Sequence, residues 1–482
     1  MILTLDPSLH KPLYAQIRDQ IRERIVTGAV KVGERLVPSR ELAKRLGVHR
    51  TTVGNAYADL QAEGLIEGTV GRGTFVSPFA ATLTIQPGRR ATNDLFWDSY
   101  FPPKDRDDSL GRLMASIHEP GVISFAAAHG SDELTPLELV RRATDAVLRR
   151  EGGSLLQYGS SDGYPPLKRY LQARMRRDGI AVEPDELLIT NGCQQSLDLV
   201  RRSLVSPGDA VVSENPTYTG LWNIFDAPGI RLIGAPVTGD GMDLDFLSAV
   251  LAQTKVKLIL ASPNFQNPTG RSMPLAARQR LLELAKKFQV PVVEDDVYGA
   301  LAFNGRELPP LKSLDTAAAS RRVIERLTAA KQRADLHTNL LGQAVLEELG
   351  RRGWLDKHIR RLKKLYEHKL AILSQALERH FPPEVKVNRP DGGMAVWVEL
   401  PAGMDAGELL VKARDRHVLF APSRYFYFQN ARHNAFRLCF TTVSDDRIVG
   451  GVRVLGGLLG EEVRRLGAGK RRKPVSPEVA LV

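Results

Sequence analysis

The chain has 482 residues, 43% of them hydrophobic and 25% charged, and a formal net charge of +12. At roughly 100–200 residues per domain this suggests two to four domains with real cores, and the basic balance permits an anionic partner such as nucleic acid. No apolar run reaches the roughly eighteen residues of a transmembrane helix; MILTLDPSLHKPLYAQ is no signal peptide; and two cysteines, Cys193 and Cys439, exclude a disulfide scaffold and fit a reducing, cytoplasmic setting.

Residues 1–78 read as one small module. Leu13, Ile17, Ile21 and Ile25 recur every four residues after Pro12, which predicts a helix with one apolar stripe. Gly28 and Gly33 punctuate the loop that follows. Ser39 then stands as an N-cap, with Glu41 in the first turn, where the helix dipole favours a carboxylate. Leu42, Ala43 and Leu46 form the inner face of this second helix. Gly47 and Val48 turn the chain into a third, with Val53, Ala56, Tyr57 and Leu60 inward. Helix, tight turn, helix is the pattern of a helix-turn-helix. Apolar alternation around Gly71-Arg72-Gly73 in EGTVGRGTFV predicts a β-hairpin wing.

The third helix begins His49-Arg50-Thr51-Thr52, short donors at the end that enters a major groove. Arg50 can span two acceptors of a guanine, and the threonines can meet phosphates or a thymine methyl. Arg72 at the wing tip suits a phosphate or a minor groove, and Ser39 and Arg40 lie at the start of the second helix. The stretch PSRELAKRLGVHRTTVGNAYADLQAEGLIEGTVGRGTFV resembles the winged helix-turn-helix of GntR-type bacterial regulators. That resemblance implies double-stranded DNA as a partner. Two residues depart from it: His49 stands where a serine usually caps the recognition helix, and Gly54 lies inside that helix.

Residues 79–118 are polar and Pro-containing and read as a linker. Residues 119–465 alternate short apolar runs (ELLIT, DAVVS, VKLILAS, VPVVEDD) with helical patterns, which predicts a parallel sheet covered by helices. The tail 466–482, with its KRRK cluster, lacks periodicity and reads as disordered.

Ser262-Pro263-Asn264-Phe265-Gln266-Asn267-Pro268-Thr269-Gly270 follows the strand VKLILA. It turns the chain at a strand's C-terminal end, where α/β proteins bind ligands. Val292-Val293-Glu294-Asp295-Asp296-Val297-Tyr298 is a further strand ending in carboxylates and a tyrosine. LLITNGCQQSLDLV reads as strand, turn and helix start, whose free N–H groups suit a phosphate. Glu214-Asn215-Pro216-Thr217-Tyr218 adds an aromatic face. Phosphate cradle, stacking aromatic, amide and carboxylate together describe a site for a phosphorylated aromatic cation.

This region resembles the fold-type I aminotransferases, and the whole chain resembles the MocR-type regulators over nearly all of residues 1–465. The fold implied is multidomain: a small α+β winged helix-turn-helix and an α/β pyridoxal-phosphate-dependent transferase-like domain. By that likeness Cys193 and Gln194 would hold the cofactor phosphate through their amides and Tyr218 would stack on the ring. Asn267 and Tyr298 would bond its phenolic oxygen, and Asp295 would pair with the pyridine nitrogen. Tyr158 would reach the phosphate of the neighbouring subunit in a homodimer, and Arg437 would clamp a substrate or effector carboxylate.

The family pattern then requires a Ser-x-Ser-Lys-like segment, whose lysine forms the Schiff base, and an Arg-Leu-Gly-Trp-like strand. Here GALAFNGRELPPLKSLDT runs directly into AAASRRVIERLTAAKQRADLHTNLLGQAVL. Two central strands and their connections, on the order of 20–30 residues, are expected to be missing around Thr316–Ala317. Lys312 and Lys331, in a Pro-bounded loop and a helical stretch, are poor replacements. No catalytic residue and no metal site is expected, and any pyridoxal 5′-phosphate would be held without a covalent tether, weakly or not at all. Three functions stand open at this point: a regulator sensing an amino acid or amine, an aminotransferase with a DNA-binding appendage, and a DNA-binding remnant that senses nothing.

Overall fold

The computed structural model describes residues 3–6, 11–27, 29–69, 73–78, 119–130, 134–303, 305, 307–315 and 321–471. Gly28, Arg72 and the expected linker 79–118 lie outside the described residues. The chain divides into two compact units, Met1–Asp107 and Asp108–Val482.

The first unit runs α1 (Leu13–Val26), α2 (Ser39–Leu46), α3 (Arg50–Ala62), β1 (Ile66–Thr69) and β2 (Gly73–Val76). Its core joins Ile17, Ile21 and Ile25 to Leu42 and Ala43, to Val53, Ala56, Tyr57 and Leu60, and to Ile66 and Val76. Each such large apolar side chain contributes about 1.5–3 kcal/mol on burial. The Tyr57 hydroxyl donates to the Val37 carbonyl at 2.6 Å, fixing the entry to α2. Gly47 closes α2 with φ +66, the left-handed conformation that lets α3 turn back within two residues. β1 and β2 pair antiparallel, Ile66 opposite Val76. One expectation is corrected. Ser39 is the first helical residue rather than the cap: Pro38 occupies the N-cap with extended ψ 140, and no side chain caps α2.

The second unit opens with β3 (Ile123–Ser124), α4 (Leu137–Glu151), α5 (Pro165–Arg177) and α6 (Cys193–Leu204). The main sheet follows, built from β4 (Ala210–Asn215), β5 (Arg231–Thr238), β6 (Gly241–Met242), β7 (Val256–Ala261) and β8 (Val292–Glu294). Its order is β6-β5-β4-β7-β8; β5, β4, β7 and β8 are mutually parallel and β6 is antiparallel. Parallel neighbours need crossovers, here α7 (Thr219–Phe225), α8 (Leu244–Gln253) and α9 (Leu275–Phe288). The helices α10 (Leu311–Leu314), α11 (Arg321–Asp335), α12 (Leu340–Arg351) and α13 (Trp354–His380) then lead to a smaller sheet. That sheet takes β9 (Lys386–Val387), β10 (Ala395–Glu399), β12 (Ala421–Pro422) and β13 (Ala435–Cys439) in the order β12-β13-β10-β9, with β11 (Val418–Leu419) beside β3. It is covered by α14 (Ala406–Arg414) and α15 (Asp445–Arg471).

Two expectations change here. ELLIT forms no strand among the described residues: Leu187 is extended, but the Ile189 N–H donates to the Asp162 carbonyl and its carbonyl accepts from the Thr338 hydroxyl. A strand needs a partner strand, and between β8 and α11 the described residues provide none. Further on, α15 continues to Arg471, past the expected boundary at 465, since no proline interrupts the chain before Pro474.

Candidate functional site

Two constellations carry chemistry, one in each unit. At the start of α3 the His49 imidazole caps the helix: its Nδ1 accepts from the Thr51 N–H at 3.4 Å and lies 2.8 Å from the Thr51 hydroxyl. Histidine thus does the work expected of serine. Arg40, His49, Arg50 and Thr51 are exposed, and Ser39 and Thr52 are half-buried. Elsewhere in this unit Arg45 pairs with Glu41 and Arg22 with Glu63, whereas Arg40 and Arg50 form no ion pair among the described residues. Arg35 joins this basic set unannounced by the sequence. A Cβ at Gly73 would lie 2.8 Å from its Nε, so the guanidinium packs against the base of the wing. The bridge of Arg35 to Phe75 and the backbone bonds from Leu36 to Thr74 and from Val76 to Glu34 bring it there.

The second constellation gathers beyond the C-terminal ends of β4, β7 and β8, where the crevice of a parallel sheet lies. The loop after β7 is held from three sides. Gln266 donates to the Pro216 carbonyl at 2.8 Å and accepts from Thr269. Buried Arg278 donates to the carbonyls of Pro263, Met273 and Pro309 and to Asn264 Oδ1. Gly270 has φ +65, and a Cβ there would sit 2.6 Å from the Ala395 carbonyl oxygen, so only glycine closes this turn.

The carboxylates of Glu294-Asp295-Asp296 part company. Glu294 accepts from the Leu311 and Lys312 N–H groups, and Asp296 accepts from Asn264 at 2.6 Å. Asp295 turns to the start of α6, where the Cys193 thiol donates to it at 3.7 Å. Burial raises the Asp295 carboxyl above its ordinary value, and no cation pairs with it among the described residues. Burial, with the Asp295 charge beside it, pushes the Cys193 thiol up to about 12, so it stays a donor. The Tyr218 hydroxyl donates to Gln194 Oε1 at 3.3 Å while its ring stays 37% exposed, and burial raises its pKa. Burial likewise pushes Tyr298 up to about 12 against the opposing pull of Arg437.

Arg437 lies on β13 opposite Trp397, and it is nearly fully buried. Its two prongs are already engaged, Nη1 to Asn267 Oδ1 at 2.7 Å and Nη2 to the Ala126 carbonyl at 2.5 Å, with the Phe426 ring 4.8 Å away. Its buried Nε has no hydrogen-bond partner among the described residues.

The structure therefore brings Cys193, Gln194, Tyr218, Asn267, Asp295, Tyr298 and Arg437 toward one crevice. Tyr158 stands apart, 82% exposed, its ring edge-on to His337. Sequence reasoning missed Asp335, at the end of α11. Its Oδ2 accepts from Asn191 at 2.8 Å and Gln195 at 2.7 Å, on either side of the Cys193 and Gln194 amides, and its Oδ1 accepts from Lys331. The available signal was the i, i+4 spacing of Lys331 and Asp335 on one helix face. The unpaired carboxylate of Asp295 and the face of Tyr218 suit the ring of pyridoxal phosphate. At the phosphate end the residues present a carboxylate instead. Among the described residues no group of side chains suits a metal ion, and no helix is long and apolar enough to cross a membrane.

Comparison with known proteins gives two family matches, "Bacterial regulatory proteins, gntR family" over residues 13–76 and "Aminotransferase class I and II" over residues 126–316. The 2-aminoadipate transaminase of Thermus thermophilus is 35% identical over 376 aligned positions, covering 73% of this chain and 93% of that protein. The chain belongs to the aminotransferase class I and II family, with a gntR-family head. This is the MocR-type arrangement. The probable rhizopine catabolism regulatory protein MocR of Rhizobium meliloti matches the MocR-type chain along both domains, 28% identical over 90% of this chain and 91% of its own. Among solved structures, LysN, the alpha-aminoadipate aminotransferase of Thermus thermophilus complexed with N-(5′-phosphopyridoxyl)-L-leucine, superposes with a TM-score of 0.69 at 34% identity. It covers 77% of this chain and 99% of its own.

Proposed function

We propose that this MocR-type chain is a DNA-binding transcriptional regulator whose aminotransferase-like domain dimerises and senses an amino acid or amine, and that it transfers no amino groups. The observation that carries the DNA reading is the His49-capped start of α3, flanked by Arg40 and Arg50 with no ion-pair partner among the described residues. Cations left free at a helix start beside a hairpin wing fit a duplex, with Ser39, Thr51 and Thr52 completing the contact surface and Arg72, by its place in the sequence between β1 and β2, a further candidate for contact. In the crevice, Tyr218, Asn267, Asp295 and Tyr298 would hold the ring of pyridoxal 5′-phosphate or a like ligand, and the amides of Cys193 and Gln194 would face its phosphate end, where the Asp335 carboxylate already stands beside them. Arg437 would clamp a carboxylate through its two prongs, in exchange for Asn267 and the Ala126 carbonyl that they now bind, and Tyr158 would act on the partner subunit's crevice.

The absence of amino-group transfer rests on the lysines. Between Tyr298 and the end of α11 the sequence holds only Lys312 and Lys331. Lys312 lies 3.6 Å from Asp315 on α10, and Lys331 is wholly buried against Asp335. Two features support a missing strand-and-lysine segment. The family match stops at Thr316. The alignment to the Thermus transaminase has 376 positions, whereas 73% of 482 residues is about 352, leaving about two dozen positions without a residue here, the length of two strands and their connections. Bound pyridoxal phosphate would supply an electron sink for an amine's α-carbon, and neither Lys312, beside Asp315, nor Lys331, buried against Asp335, would move that carbon's proton.

Fluorescence anisotropy of the full chain on the DNA between its own gene and the neighbouring ones tests the regulator reading. Arg50→Ala should cost about 1–3 kcal/mol on the preferred site and blunt its preference. Arg72→Ala should weaken every sequence alike and reduce the salt slope by about 1. Equal, weak affinity for all duplexes would sink the reading. A second reading, a working aminotransferase with a DNA-binding head, is favoured by the 35% likeness to a transaminase.

A further inference from the structure

Asp335 ends α11 and presents its carboxylate to the first turn of α6, 140 residues away in sequence. The arrangement is closed on itself. The Asn191 N–H donates to Gln195 Oε1 at 2.8 Å, leaving Gln195 Nε2 to donate to Asp335 Oδ2 at 2.7 Å, and Asn191 Nδ2 donates to the same oxygen at 2.8 Å. Lys331 binds the other oxygen, Oδ1, at 2.7 Å and is 0% exposed. The ammonium is therefore held on one oxygen, and the other is bound by the two side-chain amides that flank the helix start. Burial pulls the Asp335 carboxyl up, but the bonds from Gln195, Lys331 and Asn191 more than offset it and hold it below its ordinary value. The group stays ionised through neutral pH.

A helix N-terminus carries roughly half a positive charge, enough to favour one anion, and Asp335 already supplies one. We propose that Asp335 is the specificity determinant of this crevice, selecting against ligands that carry a phosphate at the α6 start and in favour of unphosphorylated pyridine-type ligands. This rests on the ring-binding reading given above. At the ring end the described residues present no corresponding obstacle: among them Asp295 has only the Cys193 thiol as its side-chain donor.

The test is calorimetric titration of the full-length protein with pyridoxine 5′-phosphate, pyridoxine and inorganic phosphate. The two alcohols form no adventitious imines with surface lysines. The wild-type chain should bind pyridoxine at least about threefold more tightly than its phosphate ester, and Asp335→Asn should tighten the phosphate ester at least about tenfold while leaving pyridoxine unchanged. Because Asp335→Asn strands a buried ammonium, the charge-balanced pair Lys331→Gln/Asp335→Asn serves as a second variant, with the same expected shift. An unchanged ratio in the folded variants, or a wild-type chain that binds the ester as tightly as pyridoxine or more tightly, overturns the proposal. If neither ring ligand binds any variant, inorganic phosphate decides. Tighter phosphate binding in the variants keeps Asp335 as the determinant and discards the ring reading, and equal binding discards the determinant.

Discussion

The Glu214 carboxylate accepts from the Ser262 N–H at 3.2 Å, joining the end of β4 to the loop after β7 in surroundings that exclude solvent. Burial pushes Glu214 up to about 8. In the folded chain it keeps its proton where an unfolded glutamate has already lost it, between its ordinary 4.5 and about 8. The native state binds the extra proton in that window, so stability falls as pH rises through it and levels off above about 8. The loss should be on the order of a few kcal/mol, and Glu214→Gln should flatten it. Urea unfolding at pH 5, 6.5 and 8 measures the slope, and an equal slope in both proteins would assign it to other groups.

Gly54 sits in the middle of α3, and apart from its chain neighbours and the helix's own backbone no described atom lies within 4 Å of where a Cβ would be. Gly54→Ala should therefore stabilise the first unit by about 0.5–1 kcal/mol through helix propensity alone. Thermal unfolding followed at the transition of that unit checks it, and a lower midpoint would show that the helix needs the glycine.

Borohydride reduction after incubation with pyridoxal phosphate, followed by peptide mapping, separates regulator from transaminase. The expected outcome is no pyridoxyl-lysine at Lys312 or Lys331, complete loss of the ligand on dialysis, and weaker binding still in Asp295→Ala. A modified peptide containing either lysine, together with amino-group transfer, would restore the enzyme.

The exposed ring of Tyr158 leads to a further expectation. Sedimentation at micromolar concentration should show a dimer, and Tyr158→Ala should weaken ligand retention without making the chain monomeric. A monomeric wild-type chain would remove the reading of Tyr158 as a residue acting in trans.

Helix faces were legible because burial repeats with the helix: Ile17, Ile21 and Ile25, then Val53, Ala56, Tyr57 and Leu60, are all inward. The strand ends carrying Tyr218, Asn267 and Asp295 were legible because apolar runs stop there at turn residues. What the sequence concealed depends on partners distant along the chain. Asp295 was already preferred to Asp296 in the sequence, but the reason Asp296 is unavailable, its bond from Asn264, was not visible there. ELLIT has the composition of a strand, but strand formation is decided by a neighbour. The fork of Arg437 reads as free until Asn267 and the Ala126 carbonyl occupy it. Asp335 meets α6 only through the packing of two helices.

The short final strand of the main sheet also bears on how this chain stays unaggregated. Among the described residues β8 pairs with β7 alone, leaving one side of Val292–Glu294 as an open border. Such borders invite another molecule to add its own backbone. This one is three residues long and runs straight into Glu294, Asp295 and Asp296. An intruding strand would find few bonds to make and would meet like charges at the end of its register. A sheet that ends this way is poorly suited to grow by edge-to-edge addition of further copies.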